Sequence, residues 1–406
     1  MKFNKLSQLF LVSIIGLFAA SLLTSCAIVT IDYVFIADSV GSGGGSAGQI
    51  QTYDADPETG ALRSGAANVS SGGTNPVALA TSADYANLYV VNQASNNVVH
   101  FAIGSGGILT QKDMVTTSAS PVSVAVNTAM TYLYVVSGPN PAVLTAYSLT
   151  NGAIGSAVAT VPLTLPGLPA DVIVPSGVNV LANNNAVFVA AFDQSAYNPG
   201  GPPGSITSTA NPGWVFGFTV GSGGTLSASS GSPYKAGVKP SALVSDPTNR
   251  FLFVTDFASN EVIGYTIQAG STLDFLINGP FKTGNEPDSV AIDPRGKYMY
   301  IANRLDSTVS AYVIDLTTGT PSAAVNTTGT QTNSTDTTPV SVVVDPALGS
   351  YVYTANNLGN SISGFHLNAT TGALQPTQST PYPSGDSPAA LAAIPHGNHS
   401  TQTVSP

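Results

Sequence analysis

Few side chains in this sequence can do acid–base or electrostatic chemistry, so the positions of those few are informative. Glu286 and Asp288 flank Pro287. Two acids so placed can supply a base for an attacking water or oxygen ligands for Ca²⁺, although no compact acidic Ca²⁺ loop surrounds them. The Arg304 guanidinium can meet a developing oxyanion, and its expected ion-pair partner is Asp306, two residues on. Lys239 precedes Pro240 as Glu286 precedes Pro287. The four histidines are scattered: His100 and His366 in β-rich runs, His396 and His399 near the end. No Ser-His-Asp arrangement and no zinc pattern is present, and Gly41–Gly45 opens no helix, so it is not a phosphate loop. No cofactor and no metal is expected.

The elements that must carry these residues repeat along the chain. Seven aromatic, β-branched runs recur at Tyr33–Asp38, Leu88–Asn92, Tyr132–Ser137, Val187–Ala191, Phe251–Asp256, Tyr298–Asn303 and Tyr351–Asn356. Each is followed by a second strand such as Val309–Ile314, and most then meet a Gly turn such as Thr371-Gly372-Ala373-Leu374. Pro-led strands precede the runs, as in Pro287–Asp293 and Pro339–Asp345, and Asp-Pro pairs turn the chain between them. No stripe of period 3.6 competes with this pattern, which predicts an all-β chain. Repeats of about 40–50 residues plus loops suit four-stranded propeller blades. The expected fold is a seven-bladed β-propeller of four-stranded blades. Its first blade, starting at Tyr33, lacks a Pro-led strand, and an orphan strand at Pro388–Ile394 is expected to complete it and close the ring. The seven expected triplets that start inner strands centre on Pro76, Pro121, Pro169, Pro240, Pro287, Pro339 and Pro388.

Composition narrows the function classes. Charged residues are only 8% of the 406, and 11 Lys and Arg face 21 Asp and Glu, a formal charge of −10. Nucleic acid is excluded as a partner, because phosphate binding needs clustered cations. The 43% apolar content excludes disorder for most of the chain, and a single Cys excludes a disulfide framework. Lys2 and Lys5 precede an apolar run from Leu9 to Leu23, too short for a comfortable membrane span. Leu23-Thr24-Ser25-Cys26 then matches the bacterial lipoprotein box, which implies lipidation and cleavage at Cys26. Losing residues 1–25 takes the charge to −12, since two Lys and no acid depart. Anionic headgroups repel such a surface, so the lipid alone would hold it to a membrane. The expected organisation is a signal peptide over 1–25, a lipidated linker over 26–32, the propeller over 33–395 and a polar tail over 396–406. Export to the bacterial cell envelope and a monomeric state are expected.

Tyr298–Leu316 and Tyr351–Leu374, with their Tyr-Val-x-x-Asn runs and Thr-Gly-x-Leu turns, resemble the Tyr-Val-Thr-Asn repeat propellers of the lactonase-like family that includes 6-phosphogluconolactonase. The resemblance spans about residues 33–395. It implies the propeller fold and, for an enzyme, lactone hydrolysis by His, Arg and acidic residues around the channel mouth. Family inner strands often start with His-Pro-Arg-like triplets, whereas none here has His before or Arg after its Pro. If catalysis occurs, Arg304 with Glu286 or Asp288 must carry it. The loops beside the Pro-led strands and after the Tyr-Val-x-x-Asn runs share one face, which gathers Asp38, Asn92, Lys239, Asp256, Asn303, Arg304 and Asn356. Trp214 ends a Pro/Gly-rich insertion, Asp193–Gly213, on that face, and a polar tract, Ser322–Thr338, forms a second. Asn and Asp also cap turns without any ligand. Low charge and the missing triplets favour binding of a glycan or protein partner at this rim; hydrolysis of a neutral lactone is the alternative.

Overall fold

The computed structural model describes residues 30–40, 47–197, 211–397, 401–402 and 404. Cys26, the export segment, Gly41–Gly45 and most of the first insertion therefore lie outside the described residues. The described chain forms seven antiparallel sheets arranged as blades. In each, the strand carrying the inner Pro is innermost, the Tyr-Val run second and the strand that follows it third. In five blades the outer strand is broken into two short pieces that pair with the third strand. The polar tract of blade 6 supplies such pieces, Pro321–Ala323 and Thr332–Ser334, so much of the expected insertion is edge strand instead. Among the described residues the helical elements are two 3₁₀ turns, Ser105–Gly107 and Ser222–Gly224.

Closure follows the expected route. Asp386–Pro395 pairs antiparallel with Asp32–Val40, placing the C-terminal strand innermost in blade 1. One expected triplet is corrected: blade 4 starts its inner strand, Ile173–Val180, around Pro175, while Pro169 sits in a turn stitched by a Leu165–Leu168 bridge. A second Pro close downstream misled the spacing.

The repeat motif is explained by contacts between blades. Tyr89, Tyr300 and Tyr353 donate their hydroxyls to the carbonyls of Gly152, Gly372 and Gly60 in the next blade, at 2.7–2.9 Å. Thus the Tyr of one unit and the Gly turn of its neighbour are two halves of one interaction. Gly60 has φ +65°, and a Cβ there would lie 2.2 Å from the Tyr351 ring, so the turn requires glycine. The core is divided among the gaps between blades; one cluster joins Tyr300 and Val309 of blade 6 to Val352 and Phe365 of blade 7. Burial on both faces is why these strands read as continuous apolar runs rather than alternating ones.

Candidate functional site

The inner strands share a device that builds the channel mouth. Just after its Pro, each carries a bulge, leaving Val77, Val122, Ser176, Ser241, Asp288, Val340 and Ala389 unpaired. A bulged residue is re-aimed relative to the ladder, and all seven line a central cavity of about 510 Å³. Beneath them Ser289 and Ser341 accept the backbone N–H of Val342 and Leu391 in the following blades, at 3.1 and 3.2 Å. A second tier is the residue after the Tyr-Val run, whose N–H in five blades donates to the carbonyl before the Pro. Arg304 N reaches Glu286 O at 2.9 Å, and Phe257 N reaches Lys239 O at 2.9 Å.

Charge occupies one side of this nearly sevenfold mouth. Asp288 is the single acid among the bulged residues, and Arg304 Nη1 stands 3.8 Å from its Oδ2. That separation is an ion pair without a direct hydrogen bond, leaving room for a water or a substrate oxygen. Burial pushes the Asp288 carboxyl up to about 6; Arg304 and then Lys239 pull it down, and Glu286 pushes it further up. The expected Arg304–Asp306 pair is absent. Asp306 accepts the Asn285 backbone N–H at 2.7 Å and its Nδ2 at 2.8 Å, because the hairpin turn aims it back at the preceding loop. Asn260 Oδ1 accepts Glu286 N at 2.8 Å, holding Glu286 at φ +53°. The structure thus brings Lys239, Glu286, Asp288 and Arg304 together.

The remaining candidates stand elsewhere. Asp38, Asn92, Asp256, Asn303 and Asn356 are at most 1% exposed. Asp256 accepts the N–H groups of Val238, Lys239 and Ala258 at 2.7–3.1 Å. Asn92 donates to Ser71 O and Asn97 Oδ1, and Asn356 donates to Ser361 and Ser363. Asn303 donates to Thr308 and Ser310 and accepts from Gly284 N. These four side chains hold the loops and present nothing to a ligand. Trp214 lies in the third strand of blade 4, opposite Ala191, with Lys235 Nζ 3.6 Å from its ring centroid. None of the described histidines lines the cavity; His100 is buried in blade 2 between Asp113 and Asn87. Among the described residues no three His, Cys, Asp or Glu side chains converge as a metal site.

Sequence reasoning missed an aromatic wall. Phe192, Tyr197 and Phe257 surround the Lys239 ammonium, at 5.8, 5.7 and 4.5 Å from Nζ to ring centroid. It also missed Asn357, which lines the cavity and donates to Pro388 O at 3.1 Å. Phe257 and Asn357 hold the same repeat position as Arg304, so the rule that marks one marks all three.

The family model described as "Lactonase, 7-bladed beta-propeller" matches residues 37–171 and 224–399. No curated protein matches the chain. Among solved structures, a Bacteroides uniformis protein provisionally called a 6-phosphogluconolactonase superposes with TM-score 0.72 at 19% identity, over 90% of this chain and 100% of its own. The periplasmic gluconolactonase of Pseudomonas aeruginosa gives TM-score 0.69 at 17% identity, over 89% of this chain and 99% of its own. A functionally unknown protein from Desulfotomaculum acetoxidans gives 0.65 at 16%, over 89% and 98%. At such identities the likeness establishes the fold alone.

Proposed function

The chain belongs to the lactonase family of seven-bladed β-propellers, and on that premise we propose that it hydrolyses a lactone at the mouth of its central channel. The observation that carries this reading is the Asp288–Arg304 pair above the cavity. With a carboxyl group pushed up to about 6, Asp288 is largely ionised at neutral pH yet more basic than an ordinary aspartate. In the proposed step Asp288 takes a proton from water as the water oxygen bonds to the lactone carbonyl carbon. Arg304 stabilises the oxyanion that forms. When the ring C–O bond breaks, the proton on Asp288 passes to the departing alkoxide, giving a hydroxy acid and restoring the carboxylate. The serine hydroxyls of the channel and Asn357 offer hydrogen bonds to a hydroxylated ring. The 6-phosphogluconolactonase and gluconolactonase names of fold neighbours agree with lactone chemistry. Sequence alone ranks glycan or protein binding first; the family match and the placement of Asp288 beside Arg304 favour hydrolysis.

Lipidation at Cys26 and export to the cell envelope are proposed on the sequence motif. The described chain enters at Thr30 beside the Asp32–Pro395 pairing, at the end of blade 1 opposite the Asp38–Pro388 bulge and hence opposite the mouth. At most about 14 Å of backbone separates Cys26 from Thr30. A lipid there would hold the face opposite the mouth toward the bilayer and leave the mouth facing away.

The test is turnover of a panel containing glucono-δ-lactone and γ-butyrolactone. Arg304→Ala should lower kcat about 10²–10³-fold, as loss of an oxyanion donor does elsewhere, at unchanged thermal unfolding. The kcat/KM profile should rise through a pH of about 6 as Asp288 ionises and should lose that limb in Asp288→Asn. Absence of turnover across the panel, or an Arg304→Ala rate equal to wild type, overturns the proposal.

A further inference from the structure

The lactonase reading leaves one cation at the mouth without a task. Arg304 stands against Asp288, but Lys239 Nζ has no carboxylate within 4.0 Å among the described residues, although Glu286 and Asp288 are neighbours. Residues 198–210, outside the described chain, include no Asp or Glu. The ammonium is instead held by the faces of Phe192, Tyr197 and Phe257. Aromatic faces orient and attract a cation but do not neutralise it, and they displace water that would screen it. Its backbone is fixed as well: Lys239 N donates to Asp256 Oδ1 at 2.9 Å, and its carbonyl accepts Phe257 N. The result is a half-buried, positioned ammonium with its charge unspent, on a chain carrying −10.

We propose that Lys239 is the docking point for a carboxylate that the substrate carries apart from its ester, so that the preferred substrates are acidic lactones. A single ammonium balances one negative charge, which suits a carboxylate better than a phosphate dianion. Phe257, at the repeat position that Arg304 holds in the next blade, and Tyr197 set apolar rings against that ammonium, where the ring of such a ligand can pack. The inference rests on the lactonase reading for its substrate class, while the Lys239 subsite rests on geometry alone.

Two experiments separate the subsite from the chemistry. The first compares kcat/KM for 5-oxotetrahydrofuran-2-carboxylate and for γ-butyrolactone, which share the lactone ring. Wild type should prefer the carboxylated lactone roughly tenfold or more, the worth of one well-placed ion pair. Lys239→Met, which keeps the apolar stem, should bring the ratio close to one. Lys239→Arg should keep most of the preference, and raising salt should erode it in wild type. The second measures calorimetric binding of tetrahydrofuran-2-carboxylate and of tetrahydrofurfuryl alcohol, neither of which can be hydrolysed. Binding of the acid but not the alcohol, lost in Lys239→Met, supports the subsite even if no lactone turns over, in which case only the hydrolase reading fails. A wild-type ratio near one, a ratio unmoved in a folded Lys239→Met, or tighter binding of inorganic phosphate than of the carboxylate overturns the proposal.

Discussion

Asp38→Asn should stabilise the propeller, and by an amount that depends on pH. At this repeat position three blades place an Asn, at Asn92, Asn303 and Asn356, and blade 5 places Asp256, whose oxygens collect backbone N–H groups. Asp38 is 1% exposed, and neither carboxyl oxygen has a hydrogen-bond partner among the described residues. Burial first and Asp386 second push its carboxyl from the ordinary 3.8 to about 7. The sign follows from linkage. The folded state holds this proton more tightly than the unfolded chain, so ionising Asp38 costs stability. The cost is absent below a pH of about 4, grows as pH rises and is complete above about 7. Three pH units at about 1.4 kcal/mol each set an upper bound of about 4 kcal/mol at pH 8. Asparagine carries no charge, and in blade 2 its amide donates to Ser71 O and Asn97 Oδ1. Urea unfolding of wild type and Asp38→Asn at pH 4, 6 and 8 measures the effect. The variant should gain little at pH 4 and roughly 2–4 kcal/mol at pH 8. A difference that stays constant across this range, or a variant less stable at pH 8, refutes the argument that Asp38 is an uncompensated buried acid.

Closing the ring makes a separate demand. Truncation before Asp386 removes the inner strand of blade 1 and exposes the edge of Asp32–Val40; such a chain should lose its cooperative unfolding transition, and one that melts like the parent sinks the closure argument. Cys26→Ser should abolish incorporation of labelled palmitate in a bacterial host, and a wild-type chain that takes up no label removes the proposed anchor.

How far the sequence carried the fold and the site follows from what a repeat can encode. The Tyr-Val run and the Gly turn are legible because they meet across gaps between blades, as Tyr89 meets Gly152, Tyr300 meets Gly372 and Tyr353 meets Gly60. The inner strands are legible from their prolines except in blade 4, where Pro169 and Pro175 compete and only register decides. Site residues were partly legible. The residue after each inner Pro marks Asp288, and the residue after each Tyr-Val run marks Arg304. The buried Asn and Asp positions misled because strand-end polarity looks the same whether a side chain faces a ligand or its own loop. Only the hydrogen bonds of Asn92 and Asn356 show that they face inward. The partner of Arg304 differs from the expected one for a related reason: proximity along the chain favours Asp306, whereas the bulge turns Asp288 toward the guanidinium.

A nearly sevenfold scaffold can concentrate chemistry only by breaking its own symmetry. Around this mouth the bulged positions are Val, Val, Ser, Ser, Asp, Val and Ala, and the acid falls in blade 6 alone. The same blade supplies Glu286 and Arg304, and blade 5 beside it supplies Lys239 and Phe257. The opposite arc offers hydroxyls and aliphatic groups that can hold a ligand but cannot move a proton. A ligand seated in the cavity therefore meets acid–base groups on one flank only, which fixes the side its reacting carbonyl must face. The backbone of every blade is nearly the same, so that orientation is set by a few substitutions at repeat positions the fold leaves free.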